Sequence, residues 1–105
     1  QLIGLGLNCI APIHVTRYLK SVHDTAEGRH IPLVVYPNSG EIYTAEKGWF
    51  DDGSDNLRNN EKFIHEWLNN GVQFIGSCCR TDAEDIARIR DRVETWKGQE
   101  RETAL

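Results

Sequence analysis

The chain has 105 residues, of which 39% are hydrophobic and 27% charged, and its formal net charge is −4 at pH 7. This length suits one small domain, and the composition is that of a folded chain rather than a disordered one. The acidic balance argues against a nucleic-acid partner, which requires clustered Lys and Arg. No apolar run approaches the roughly 20 residues that span a bilayer, and no signal peptide is evident. We therefore expect a cytoplasmic protein with no membrane partner.

The first half of the chain predicts two strands, one helix and a long loop. The apolar, glycine-containing run Leu2–Leu7 predicts a buried strand, and the apolar residues after Pro12 recur at helical spacing. A second buried strand is predicted at Ile31–Tyr36, where β-branched and aromatic residues end at a Pro-Asn-Ser-Gly turn. The polar, turn-rich segment from Glu41 to about Asn60 predicts an irregular loop.

The second half predicts a helix, a strand and another helix. The apolar face of the first helix carries four residues: Phe63, Ile64, Trp67 and Leu68. A strand is predicted at Val72–Gly76, and Thr81 with Glu84 matches a capping box at the start of the last helix. That helix is expected to bury Ile86, Ile89 and Val93. The polar segment from Lys97 to Leu105 is expected to be disordered.

Alternating strands and helices place the chain in the α/β class. Three strand-loop-helix units in series predict parallel strands joined by helical crossovers, and near-continuous hydrophobicity in the strands predicts a sheet covered on both faces. Cys9 and the pair Cys78 and Cys79 directly follow predicted strands. Since parallel sheets and (β/α)8 barrels place their chemistry beyond the carboxyl ends of their strands, these cysteines can converge.

Three cysteines permit several uses. Because the number of cysteines is odd and Cys78 and Cys79 are adjacent, we do not expect a disulfide framework. Three thiolates match a catalytic zinc site whose fourth position stays open, and sulfur ligands suit zinc. Adjacent cysteines are not the usual Cys-x2-Cys arrangement, however. On spacing alone, buried free cysteines are the favoured interpretation.

Three motifs add information that spacing does not contain. They are Gly-Leu-Asn-Cys at Gly6–Cys9, Val-Tyr-Pro-Asn-Ser-Gly-Glu at Val35–Glu41, and Gly-Ser-Cys-Cys-Arg-Thr at Gly76–Thr81. In this order the chain resembles the last part of homocysteine S-methyltransferases, from about Ile3 to Val93. Ser77 departs from the glycine that many members carry. The resemblance implies the last three β/α units of a (β/α)8 TIM barrel over residues 1–96, followed by a polar tail over 97–105.

The resemblance also implies a metal, a reaction and two substrates. Zn²⁺ would be bound by Cys9, Cys78 and Cys79, with homocysteine held on the zinc as its thiolate. That thiolate would take a methyl group from a sulfonium donor and become methionine. The Pro-Asn-Ser-Gly-Glu loop is more similar to the S-methylmethionine and S-adenosylmethionine branch than to the betaine or folate branches. No residue is expected to act as a general base, because the metal would lower the thiol pKa and the barrel would align the reactants.

Three polar residues near the strand ends are candidate substrate contacts. Asn8, Tyr36 and Asn38 can meet the substrate or orient a thiolate, although turn chemistry is a sufficient reason for the asparagines. Two alternatives to the enzyme remain open: a structural zinc-binding module and an inactive fragment. The chain opens at Gln1, inside a strand-like run and without an initiator Met. We therefore expect the N-terminal half of the barrel to be missing and the isolated chain to be inactive.

Overall fold

A computed structural model describes residues 3–51, 57 and 62–104, apart from the side chains of residues 101–104. In chain order, the elements of these segments are β1 (Leu5–Ile10), α1 (Pro12–Ala26), β2 (Leu33–Pro37), β3 (Ile42–Thr44), β4 (Gly48–Phe50), α2 (Lys62–Asn69), β5 (Val72–Ile75) and α3 (Ala83–Ala104). None of these helices is long and apolar enough to cross a membrane.

A three-stranded parallel sheet organises the chain. Its strand order is β1-β2-β5, so β2 is central and pairs with both neighbours. The α/β class and the parallel strands predicted from the sequence are confirmed. Because all three strands run in the same direction, the segments that follow Ile10, Pro37 and Ile75 emerge at one edge of the sheet.

The helices pack on one face of this sheet. In β2, Leu33 and Val35 are buried while Tyr36 is 46% exposed, which is the alternation of a strand with one covered face. The prediction of a sheet covered on both faces is therefore wrong for the residues that the structure describes. Trp67 of α2 is fully buried, and its ring stacks on Phe63 at a centroid distance of 6.1 Å. The apolar face predicted for α2 is confirmed, since all four of its residues are buried.

Trp67 is expected to contribute strongly to stability. Replacement by alanine should lower the free energy of unfolding by about 3–5 kcal/mol, the usual cost of deleting a buried aromatic ring. The indole Nε1 has no hydrogen-bond partner in the segments described. Trp67→Phe therefore loses no hydrogen bond and should cost clearly less. Urea unfolding of both variants measures this difference, and equal losses would contradict it.

A β-hairpin occupies part of the predicted irregular loop. Strands β3 and β4 pair antiparallel, with Tyr43 opposite Trp49 and their ring centroids 5.3 Å apart. Thr44 Oγ1 accepts a hydrogen bond from the Lys47 N–H within the connecting turn. The prediction of an irregular segment from Glu41 is therefore wrong for residues 42–50. Residues 52–56 and 58–60 of the predicted loop lie outside the described segments.

The start of α3 also differs from the prediction. Asp82 Oδ1 accepts a hydrogen bond from the Asp85 N–H, and Asp85 Oδ2 accepts one from the Asp82 N–H. This is the reciprocal pattern of a capping box, one residue later than the predicted Thr81 and Glu84 pair. Thr81 Oγ1 donates instead to the Cys78 carbonyl. Because the Thr81 hydroxyl is bonded to the Cys78 carbonyl, it does not cap α3.

The body of α3 bears out part of the sequence prediction. Ile89 is buried and Val93 half-buried, as expected, but Ile86 is 43% exposed. The helix continues to Ala104, so the disorder expected from Lys97 is not observed over residues 97–104. Trp96 Nε1 donates to Asn69 Oδ1 and ties this part of α3 to the end of α2. The division between domain and tail at residue 97 stays a prediction.

Candidate metal centre

Three sulfur atoms meet at the carboxyl edge of the sheet. Cys9 lies near the end of β1, and Cys78 and Cys79 follow β5, yet their Sγ atoms all lie within 4.8 Å of one another. Zinc–sulfur bonds of about 2.3 Å in tetrahedral geometry place two sulfurs about 3.8 Å apart. The donor set is also chemically suitable, since thiolates prefer soft or borderline cations such as zinc. Both the spacing and the chemistry of the cluster fit a bound metal ion.

Two of the sulfurs are joined in this structure. Cys9 and Cys78 form a disulfide, with their Cα atoms 5.5 Å apart, while Cys79 is free and exposed. From the sequence, a disulfide was not expected among these cysteines, and the structure differs from that prediction. Topology explains it, because two parallel strands separated by one neighbour end at the same edge. Metal binding requires thiolates, so a metal site uses the reduced form of this pair.

A local irregularity in β1 presents the first cysteine. Asn8 pairs with Tyr36 and Ile10 with Pro37, so Cys9 is an extra residue without its own partner in β2. Its φ of 54° lies in the left-handed region, which costs a residue other than glycine about 1–2 kcal/mol. Such a bulge redirects the side chain that it contains. The backbone of β1 therefore departs from regular pairing at the residue whose sulfur joins the cluster.

A tight turn presents the other two cysteines. The Thr81 N–H donates to the Cys78 carbonyl at 3.3 Å, which closes a four-residue turn around Cys79 and Arg80. Arg80 has a φ of 64°, as the third residue of a type II turn requires. Neighbouring residues of an extended strand point to opposite faces, whereas this turn brings two consecutive sulfurs into one cluster. The adjacency that argued against a metal site is thus compatible with one.

The loop after β2 holds this turn in place. The Cys78 N–H donates to the Pro37 carbonyl at 2.8 Å, and the Ser39 N–H donates to the Cys79 carbonyl at 3.1 Å. Ser39 is only 2% exposed, so its bond lies inside the protein. Both bonds use main-chain atoms, and together they attach the loop to each of the two cysteines.

A charged pair extends this attachment. Arg80 Nε donates to Glu41 Oε2 at 3.1 Å, and the guanidinium lies 5.9 Å from the ring centroid of Trp49. No local pattern in the sequence predicts either contact, because Glu41 lies 39 and Trp49 31 residues before Arg80. Since half of the arginine side chain is exposed, solvent screens this pair and its contribution to stability is small.

The three candidate substrate residues occupy different places. Asn8 and Tyr36 are partners across β1 and β2, so their side chains lie on the same, uncovered face of the sheet. The Tyr36 ring also covers Gly76, where a Cβ atom would overlap the ring. Asn38 instead uses its side-chain oxygen to accept a hydrogen bond from the Cys79 N–H. Substrate contact by these residues stays a prediction.

Comparison with known proteins assigns the chain to a family. A profile described as homocysteine S-methyltransferase matches residues 1–93. The chain is 43% identical over 95 residues to betaine-homocysteine S-methyltransferase of Drosophila melanogaster, covering 90% of this chain and 28% of that protein. It is 40% identical over 93 residues to homocysteine S-methyltransferase of Escherichia coli K12, covering 88% and 29%.

A short yeast protein and a solved structure extend the comparison. The putative uncharacterized protein YMR321C of Saccharomyces cerevisiae is 34% identical over 92 residues, which cover 88% of this chain and 86% of that protein. The metallated form of the homocysteine methyltransferase MmuM from Escherichia coli superposes with a TM-score of 0.61 at 33% identity. That match covers 86% of this chain and 24% of MmuM.

Three parallel β/α units with a sulfur cluster beyond their strand ends define the chain as the C-terminal part of a TIM barrel. The chain belongs to the homocysteine S-methyltransferase family, as its motifs predicted. It spans less than a third of the length of the Drosophila and Escherichia coli relatives. The activity of a whole barrel is therefore a separate question from family membership.

Proposed function

We propose that the intact protein is a zinc-dependent homocysteine S-methyltransferase, with Cys9, Cys78 and Cys79 as the metal ligands in their reduced form. The observation that carries this proposal is the convergence of the three sulfurs within 4.8 Å, in a chain of this family. The cysteines come from two strand ends that are 69 residues apart in sequence. Their meeting therefore depends on the fold rather than on a local motif.

The chemistry follows from the donor set. A zinc ion with three thiolate ligands and an open fourth position lowers the pKa of an incoming thiol, so that the thiol is available as a thiolate near neutral pH. In the proposed reaction, the homocysteine sulfur attacks the methyl carbon of a sulfonium donor. The donor's S–CH3 bond breaks, its electron pair returns to sulfur, and a neutral thioether leaves. The bulge at Cys9 and the turn at Cys78 keep the ligand sulfurs together at the strand ends.

A sulfonium methyl donor is part of the proposal. Its support is the similarity of the Pro37–Glu41 loop to the S-methylmethionine and S-adenosylmethionine branch. The names of the relatives include another donor, because the Drosophila protein is named for betaine, a quaternary ammonium compound. Methyl transfer by the intact protein, measured with S-methylmethionine, S-adenosylmethionine and betaine in parallel, decides between these donors. Turnover with betaine alone would overturn the sulfonium assignment.

We further propose that the remaining β/α units of the barrel belong to the intact protein and that this chain alone is inactive. Three strands cannot close a barrel. Tyr36 and Phe74, on the face without helices, are 46% and 57% exposed. The Drosophila and Escherichia coli relatives devote less than a third of their sequence to this region. A cytoplasmic location likewise stays a prediction.

The isolated chain is expected to associate in solution. Its two outer strands and the apolar residues of the uncovered sheet face favour contacts between copies. Sedimentation velocity over a range of concentrations should show oligomers that grow with concentration. A stable monomer at high concentration would contradict this expectation.

X-ray absorption at the zinc edge tests the proposed metal chemistry. The intact protein is reduced with a phosphine, which supplies no competing thiol, then loaded with zinc and measured with and without homocysteine. Three sulfur neighbours of the zinc should become four when homocysteine is added. Methionine, which has no thiol, is the matched control and should leave the coordination unchanged. Reduced, folded protein that binds no zinc would refute the proposal, and an unchanged coordination with homocysteine would identify a structural metal.

A further inference from the structure

Asn38 contacts both cysteine-bearing segments. Its N–H donates to the Ile10 carbonyl at 2.8 Å, directly after Cys9 at the end of β1. Its side-chain Oδ1 accepts a hydrogen bond from the Cys79 N–H at 3.1 Å. One residue of the loop after β2 therefore connects the backbone that carries the first sulfur with the backbone that carries the third.

The side chain of Asn38 binds the main chain of a cysteine directly, whereas the Glu41 side chain reaches the cysteine turn through the side chain of Arg80. Pro37 and Ser39 reach the cysteine turn through main-chain atoms, so their bonds depend little on side-chain identity. The bond to Cys79 requires an acceptor oxygen in the side chain at position 38. The partner is a backbone N–H, which requires an acceptor and so fixes the oxygen of the carboxamide toward Cys79.

This bond acts at an exposed residue of the turn. Cys79 is exposed and stands between Cys78 and Arg80, whose left-handed φ of 64° is unusual for a residue with a side chain. Fixing the Cys79 N–H restricts rotation of the peptide plane that leads into this residue, and thereby limits the positions of its sulfur. Metal sites are sensitive to such outer partners, because a displaced ligand atom weakens binding.

We propose that Asn38 is a positioning residue that sets the Cys79 sulfur relative to the Cys9 sulfur, through the main chain of the cysteine turn. This inference rests on the proposed function, in which the three sulfurs hold a metal. It assigns Asn38 a different role from substrate contact, because its side-chain oxygen is already bonded to the protein. The other candidate contacts, Asn8 and Tyr36, are not involved.

Cobalt binding by the reduced intact protein tests the assignment. Co²⁺ serves as the probe because its thiolate charge-transfer absorption reports how many sulfurs are bound. Asn38→Leu has nearly the same size but no acceptor, and should bind cobalt about 10- to 100-fold more weakly, with a weaker charge-transfer band per bound ion. Asn38→Asp retains an acceptor oxygen and should restore most of the wild-type affinity and the full band. If leucine prevents folding, as judged by circular dichroism, Asn38→Ala is measured in its place.

A second asparagine supplies the matched control. Asn70 is also half-buried, and its Nδ2 donates to the Glu66 carbonyl at 2.8 Å at the end of α2, before β5 and away from the cysteine edge. Asn70→Leu removes a comparable bond and should leave cobalt affinity and the band unchanged. Wild-type affinity and band in Asn38→Leu would overturn the positioning role alone, and so would equal losses in Asn38→Leu and Asn70→Leu. Failure of the wild-type chain to bind cobalt would instead overturn the proposed function, and the positioning role with it.

Discussion

Cys79→Ser is expected to abolish zinc binding by the reduced chain. The substitution removes one of three thiolates, and a serine hydroxyl is a poor zinc ligand at neutral pH. The loss of affinity should exceed the roughly 100-fold upper range for an outer partner of a metal site. Because Cys79 is outside the disulfide, the substitution leaves the Cys9 and Cys78 pair intact. Zinc content after gel filtration, measured by mass spectrometry, gives the result directly.

Ser77→Ala is the control for this experiment. Ser77 adjoins the cysteine pair, is half-buried and carries no sulfur, so its hydroxyl can be removed without changing the ligand set. Zinc content should remain at the wild-type level in this variant. Full zinc content in Cys79→Ser would exclude Cys79 as a ligand. An equal loss in both variants would point to a disturbed turn rather than a missing sulfur.

Gly6→Ala is expected to lower the free energy of unfolding by about 3 kcal/mol, at the upper end of the usual cost of overpacking. A Cβ atom at position 6 would overlap the Val34 carbonyl oxygen and lie 2.9 Å from its carbonyl carbon. The obstacle is backbone of the central strand, which cannot rotate away as a side chain can. The parallel pairing of β1 and β2 must therefore open locally. Thermal or urea unfolding measures the loss.

Gly98→Ala provides a control with the opposite sign. Gly98 lies within α3, and no atom lies within 4 Å of a Cβ built there, among the residues that the structure describes. Alanine at an interior helix position is favoured over glycine by about 0.5–1 kcal/mol, so this variant should be slightly more stable than wild type. Unaltered stability of Gly6→Ala would show that β1 and β2 do not approach as closely as described.

The order of strands and helices could be predicted because its signals are local. Apolar residues at helical spacing define the buried face of α2, and continuous apolar runs with turn residues at their ends define β1, β2 and β5. A series of such units restricts the sheet to parallel strands, and thereby predicts that residues after different strands share one edge. The convergence of the cysteines followed from that topology.

Other features depend on contacts that the sequence does not display. The hairpin of β3 and β4 was missed, although Ile42, Tyr43 and Thr44 are typical strand residues, because the surrounding polar segment dominated the interpretation. The cap of α3 was placed one residue early, since the Thr81 hydroxyl is used by the cysteine turn. Both errors arise where tertiary contacts compete with a local signal.

The cysteine site, too, could be predicted from the sequence only in part. Spacing alone favoured buried free cysteines, and the family motifs were needed to identify Cys9, Cys78 and Cys79 as a set. The structure brings the three sulfurs together, and Cys79 is exposed rather than buried. The hydrogen bond between the Asn38 side chain and the Cys79 N–H could not be predicted, because it links a loop to a turn 41 residues later.

Cys9, the unpaired residue of β1, leads to an expectation about sequence changes within this family. Cys9 has no partner of its own in β2, and its backbone conformation is unfavourable for any residue except glycine. A descendant that no longer needs sulfur at this position can delete the residue, and β1 then pairs with β2 without interruption. We therefore expect family members whose cysteines after β5 are replaced to show a single-residue gap at position 9.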